Sequence, residues 1–355
     1  MDYKSIPKVE LHCHLCGIVD PSMLREMEKQ EHQPPVSPKA LEAALPVQSF
    51  DDFANWWAVA DPPELNLEGF KPILALHIER LKSQNVIYSE VMISSGAISF
   101  FRHNQRGVVR RVQDFRNFVD GLENRDIQVE FLVAFGRNKT PEQVEEIADR
   151  ILMLHEADLI VGVAMAGLEP GHPVKPFQKT FARFREAGLG IEIHVGEWCG
   201  PESVWIALAH GFPNRIGHGV AIFDDPQLVK QFQEEGIHIE MCPTSNIKTG
   251  SVDHIEAHPV KQARELNLNF SINTDDPGPF ECSMESEYQL LAEVFGFEET
   301  DFEQIRDNAL KARFQPELRY LSEVNDEEFD CDRRNLERGK YVHDLLPRIG
   351  RCELR

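Results

Sequence analysis

The sequence predicts a (β/α)8 barrel, and three observations carry that prediction. Eight short β-branched or apolar runs recur along the 355 residues. Longer segments with apolar residues three and four apart separate them, so strand and helix alternate. Neither glycine-rich phosphate motif, GxGxxG or GxxxxGK[ST], follows any run, which weakens an open nucleotide-binding sheet as the alternative. Alternation implies a parallel sheet with helical crossovers, and a count of eight favours closure.

The runs, in order, are Val9–Leu15, Val86–Ile93, Ile127–Phe135, Leu159–Ala166, Gly190–Val195, Arg215–His218, Gly236–Met241 and Leu268–Thr274. The segments Pro141–His155, Pro201–His210 and Pro226–Glu235 open on proline and keep helical spacing, as helix starts should. The interval from Asp20 to Gln84 is long for one connection. It predicts extra helices around Ser22–Gln30 and Phe50–Ala60, an insertion over about 20–84 that sits on the barrel mouth as a lid. The charged stretch of about 315–355 reads as a helical C-terminal extension. The whole, 1–355, reads as a single domain.

Composition narrows the function. At 42% hydrophobic and 27% charged residues, with a mean hydropathy of -0.36, the chain can bury a sizeable core. Its 59 acidic residues against 37 basic ones give a formal net charge of -22, which repels polyphosphate and anionic membrane alike. No nucleic acid and no membrane partner is therefore expected. The N-terminal MDYKSIPKVE carries charge and no apolar stretch, and the seven cysteines form no paired CxxC spacing. A reducing cytoplasm is the expected setting.

The chemistry lies at the ends of the runs. In VELHCHL, His12 and His14 are two apart on a strand and share a face. The fifth run ends in IEIHVGE with His194 and Glu197, the sixth in RIGHG with His218, and the eighth in SINTDDP with Asp275 and Asp276. In a barrel all these ends lie on the C-terminal face, where active sites are built. Three histidines and a carboxylate there form an N3O set suited to a divalent ion such as Zn2+, which lowers the pKa of bound water from 15.7 to about 7. Glu197 is placed to exchange protons with a substrate, and His218 to hold or polarise the attacking oxygen rather than to ligate. Other signatures fail: HExxH is absent, Cys242-Pro243 is not followed by the second cysteine of PCxxC, and GxSxG is missing.

Taken together, PKVELHCHLCG, AMAGLEPG, IHVGE, RIGHGV, MCPTSNIKTG and INTDDPG resemble the ordered motifs of the adenosine deaminase family of the amidohydrolase superfamily, from about Pro7 to about Phe314. The resemblance implies one zinc per chain on His12, His14, His194 and Asp275. It also implies addition of water to carbon 6 of a purine, with Glu197 protonating ring nitrogen 1. His218 would orient and help deprotonate that water, Asp276 would bond nitrogen 7, and the Gly167 N–H would bond nitrogen 3. Hydrolysis of adenosine, or of an adenosine altered at the 5' position, to the inosine-type product and ammonia is the implied reaction. The implied partner is thus a small-molecule purine nucleoside; the oligomeric state is not legible.

Two positions depart from that pattern. Cys16 stands where adenosine-specific members carry an aspartate for the ribose 5'-hydroxyl, and Met92 lies in a second strand reading EVMISS rather than EVRYSP. Cys16 reads equally as a substrate contact and as a small buried hydrophobe. Deamination of free adenine or another amino-heterocycle, and a non-catalytic nucleoside-binding role, stand as alternatives. The aromatic residues Phe50, Phe53, Trp56 and Trp57 read either as a purine cover or as a packed helix face. Thr244, Ser245 and Asn246 fall on the mouth with no role assigned.

Overall fold

The computed structural model describes residues 2–30, 33–60, 67–99, 105–123, 126–315 and 317–318. Eight parallel strands pair in chain order: β1 (Lys8–His14), β2 (Val86–Ser94), β3 (Gln128–Gly136), β4 (Gly162–Ala166), β5 (Gly190–Val195), β6 (Arg215–His218), β7 (His238–Met241) and β8 (Phe270–Ile272). The ring closes just past β8: the Asp275 N–H donates to the His12 carbonyl at 3.0 Å, and the His14 N–H donates to the Asp275 carbonyl at 2.9 Å. The predicted (β/α)8 barrel is the observed fold.

Two runs coincide with their strands, and three begin two or three residues before theirs for one physical reason. The N–H groups of Leu159, Gly236 and Leu268 each turn back to a carbonyl of the preceding helix, on Leu154, Phe232 and Ala263 respectively. Apolar residues at these points cap a helix first and join the sheet only afterwards. The last run is also cut short at its far end, because the Thr274 N–H donates to the Glu10 carboxylate at 3.0 Å instead of continuing a ladder.

The helices open as their sequences predict. Thr140 caps Pro141–Glu156 in a reciprocal capping box with Gln143, and Asp225 caps Pro226–Glu235. The long first connection holds helices Pro21–Lys29, Pro38–Ala43, Phe50–Ala60 and Leu67–Ser83. Phe50–Ala60 lies over the strand ends: Phe50 meets Trp198 at 5.3 Å, Phe53 meets Phe280 at 5.2 Å and Trp57 meets His14 at 5.9 Å between ring centroids. The expected extension over about 315–355 lies outside the described residues, apart from 315, 317 and 318.

The opposite end of the barrel is plugged. Phe314 packs among Met92, Leu132, Ala134 and Ala164, and the Arg215 guanidinium lies 3.5 Å over its ring. Glycine is required beside it: a Cβ at Gly162 or Gly190 would stand 2.5 or 2.3 Å from the Phe314 ring. Arg215 pairs at 2.5 Å with both Glu90 and Glu240, all three fully enclosed.

Candidate active site

A register shift in β1 between Glu10 and Cys13 turns the strand so that His12 and His14 face the mouth. There they meet His194 from the end of β5 and Asp275 from beyond β8, with one ligand atom of each residue within 4.8 Å of the others. Buried carboxylates set the rings. His12 Nδ1 lies 2.7 Å from Glu240, and His194 Nδ1 lies 2.9 Å from Glu192. Donating Nδ1–H to these acceptors leaves Nε2 bare and aimed at the cluster.

The donor set fits a divalent cation. His14 Nε2 and His194 Nε2 stand 3.1 Å apart, and the buried His12 Nε2 has no hydrogen-bond partner. Burial, and then the neighbouring imidazoles, hold His194 far below the usual histidine range, so its lone pair is available. Asp275 is presented by a left-handed backbone at φ 63°, a conformation that costs a non-glycine residue energy and marks a position fixed by its surroundings. Its Oδ2 accepts from the Ser245 hydroxyl at 2.7 Å. That contact gives one of the three unassigned residues that follow β7 a place.

Beside the cluster, the Glu197 carboxyl is pushed well above the ordinary range by burial, and then by the charges of Asp275 and Glu169. Asp276 is raised in the same way by burial and Asp275, and its Oδ1 has no partner. Gly17 makes room for it, since a Cβ there would fall 1.9 Å from that oxygen. His218, at φ 62°, points Nε2 toward Glu197 at 3.6 Å. Gly167, at φ 96°, lines the same space, with nothing closer than 3.8 Å to where a Cβ would be.

These groups open into a cavity of about 530 Å³ that also touches Cys16, Phe50, Phe53, Trp57, Met92 and Lys139. Its size is ordinary for a small-molecule pocket. The aromatic quartet is divided: Phe50, Phe53 and Trp57 line the cavity, whereas Trp56 is fully buried in the core. Every residue singled out at the strand ends thus reaches one cavity or the His3Asp cluster on its wall.

Sequence reasoning missed the residues that hold this arrangement. Glu169, inside the AMAGLEPG motif, accepts four backbone N–H groups, from Gly196, Glu197, Trp198 and Cys199, at 2.9 to 3.1 Å. It therefore fixes the turn that carries Glu197. Arg137 donates to the carbonyl of His194 from the other side. Glu192 shares a strand face with His194 two residues on, so it was open to the same alternation argument. Glu169 and Arg137 leave no such mark, because their partners lie on other loops. A second group, Glu10, Cys13 and His77, also clusters. There the Cys13 thiol lies 4.0 Å from His77, Thr274 holds one Glu10 oxygen, and the other Glu10 oxygen is buried without a hydrogen-bond partner.

A closed (β/α)8 barrel with a His3Asp cluster at its C-terminal mouth defines an amidohydrolase-type enzyme. The family described as adenosine deaminase matches residues 7–326. An adenine deaminase of Chelativorans sp. (strain BNC1) is 33% identical over 319 residues, covering 87% of this chain and 94% of that protein. Among solved structures, an adenine deaminase from Arthrobacter aurescens superposes with a TM-score of 0.77 at 22% identity, over 97% of this chain and all of that one. An amidohydrolase from Burkholderia ambifaria with bound Zn gives 0.74 at 22% identity, over 97% of this chain and 93% of that one. The chain belongs to the adenosine deaminase family and is a hydrolytic deaminase. No helix among the described residues is long and apolar enough to cross a membrane.

Proposed function

We propose that the protein hydrolyses a 6-aminopurine at carbon 6, releasing ammonia and the 6-oxopurine, with one zinc per chain on His12, His14, His194 and Asp275. The observation that carries this reading is the convergence of that donor set with a half-buried Glu197 and a buried Asp276 on one cavity. When bound, the ion supplies Lewis acidity and water activation near neutral pH. Glu197, whose carboxyl burial and Asp275 push well above the ordinary range, delivers a proton to ring nitrogen 1 as water adds to carbon 6. Asp276, raised in the same direction by burial and Asp275, donates to nitrogen 7, while the Gly167 N–H meets nitrogen 3. His218 orients the attacking oxygen. Fixed donors of this kind meet charge as it develops on the adduct, which is where they contribute most.

Two substrates compete for the reading. The carboxylates on the cavity wall, Glu197, Asp275 and Asp276, are all assigned to the reacting end, and Cys16 offers no charged acceptor for a ribose hydroxyl. That supports free adenine, in line with the relative named adenine deaminase. A volume of about 530 Å³ supports instead an adenosine whose 5' group is altered or apolar. Ammonia release from adenine, adenosine, 5'-deoxyadenosine and 5'-methylthioadenosine tests both. Turnover of adenine or of the 5'-altered nucleosides above adenosine is expected, and no ammonia from any of them with metal-replete protein overturns the proposal. A reducing cytoplasm and action as a single domain remain part of this reading.

A further inference from the structure

A backbone amide far from the reaction dictates which nitrogen of His218 carries its proton. The Val260 N–H sits at the start of helix Val260–Glu265, where no helical carbonyl is available to it. It donates to His258 Nδ1 at 3.2 Å, so that nitrogen is bare and the neutral ring carries its hydrogen on Nε2. His258 Nε2–H in turn lies 3.2 Å from Asn246 Oδ1. The carboxamide is thereby oriented, and its Nδ2 donates to Ser251 Oγ at 3.0 Å and to His218 Nδ1 at 3.2 Å. The Ser251 hydroxyl spends its own hydrogen on the Asn246 carbonyl, so it is able to accept. Turning the amide round would set its NH2 against the His258 N–H. With Nδ1 of His218 occupied by a donor, the hydrogen of this ring lies on Nε2, the nitrogen facing Glu197 and the cavity.

We propose that Asn246 and His258 are positioning residues that lock His218 as an Nε2–H donor to the attacking oxygen, so that His218 orients this oxygen and does not take its proton. This deepens the deaminase reading and rests on it, and it revises the role that the family resemblance implied for His218. The three side chains are no more than 2% exposed, so water does not compete for these bonds. Burial pushes both imidazoles down to about 3, which keeps them neutral. A cationic His218 would also carry hydrogen on Nε2, so the assignment does not depend on charge.

The first test is spectroscopic and needs no variant fold. In the zinc-loaded full chain labelled with 15N-histidine, a two-bond 1H–15N correlation reads each ring, and His218 is assigned by its loss in His218→Gln. A protonated Nε2 and bare Nδ1 are expected; a protonated Nδ1 overturns the proposal. The second test is Asn246→Asp, whose carboxylate accepts from both imidazoles and turns the His218 proton to Nδ1. A donor role predicts a fall in kcat of at least about 10²-fold, with KM and metal content unchanged. A base would be strengthened by the new aspartate, so turnover equal to or above the natural protein overturns the proposal. Because the spectrum is read without turnover, a failed ammonia assay sinks the deaminase reading alone.

Discussion

The two ends of the barrel both bury charged and polar side chains, to opposite purposes. At the floor, Arg215 is matched by Glu90 and Glu240 at 2.5 Å and stacked on Phe314. At the mouth, His12 Nε2 and Asp276 Oδ1 are buried without partners, and His218 and Asp275 sit in left-handed backbone. Buried polar groups normally find partners, and these two face the ligand cluster and the cavity, where a ligand can supply them. The floor spends its charges on stability and the mouth withholds them for chemistry. In barrels generally, the strand C-termini carry function and the N-termini carry the fold.

Breaking the mouth should abolish activity and leave the fold. Asp275→Ala removes a ligand and leaves the left-handed backbone position to a residue no better suited to it, so metal analysis is expected to show loss of the ion and turnover below detection, with the far-ultraviolet circular dichroism of a folded barrel retained. Stoichiometric metal in an active Asp275→Ala protein would end the proposed ligand set. Breaking the floor should act on the fold first, and reach the site only through Glu240, which also holds His12. Arg215→Ala takes the guanidinium from Glu90 and leaves Glu240 with His12 alone, and loss of one partner from a buried ion pair costs about 3–5 kcal/mol. Denaturant unfolding checks this, and a change below about 1 kcal/mol, small for a buried ion pair, would show that the floor is not what holds the barrel.

Glu197→Gln sharpens the comparison within the mouth, since it keeps shape and metal but removes an acid. Turnover should fall by about 10²-fold or more. The sign of the pH dependence follows from the raised carboxyl: the acid form exists below its folded pKa and is lost as pH rises through it, so activity should fall on the alkaline side. In Glu197→Gln that alkaline limb should vanish. If the limb persists unchanged, another group carries the proton.

The smallest expected effect falls on the recognition wall. Cys16→Asp supplies a carboxylate where the natural chain has a thiol, and a charge-assisted hydrogen bond to a ribose hydroxyl is worth about 1.5–3 kcal/mol. That corresponds to about one to two decades in kcat/KM for adenosine relative to 5'-deoxyadenosine. An unchanged ratio would make Cys16, which is 2% exposed, a packing residue.

Much of this was legible in the residue order. Period-two runs alternating with helical spacing gave the barrel, because side-chain direction along a strand or helix follows from local geometry alone. The same locality placed His12, His14, His194, His218 and Asp275 on one face, since every parallel strand ends at the same rim. Strand starts at Leu159, Gly236 and Leu268 were misread because an apolar residue that caps a helix looks like one that opens a strand. Other features needed the folded chain. The register shift in β1, the four amides gathered by Glu169, the orphaned Asp276 oxygen and the chain of bonds from Val260 to His218 all join residues distant in sequence. Their energies exist only once burial has removed water and left each donor a single acceptor, and that exclusivity is a property of the packed interior.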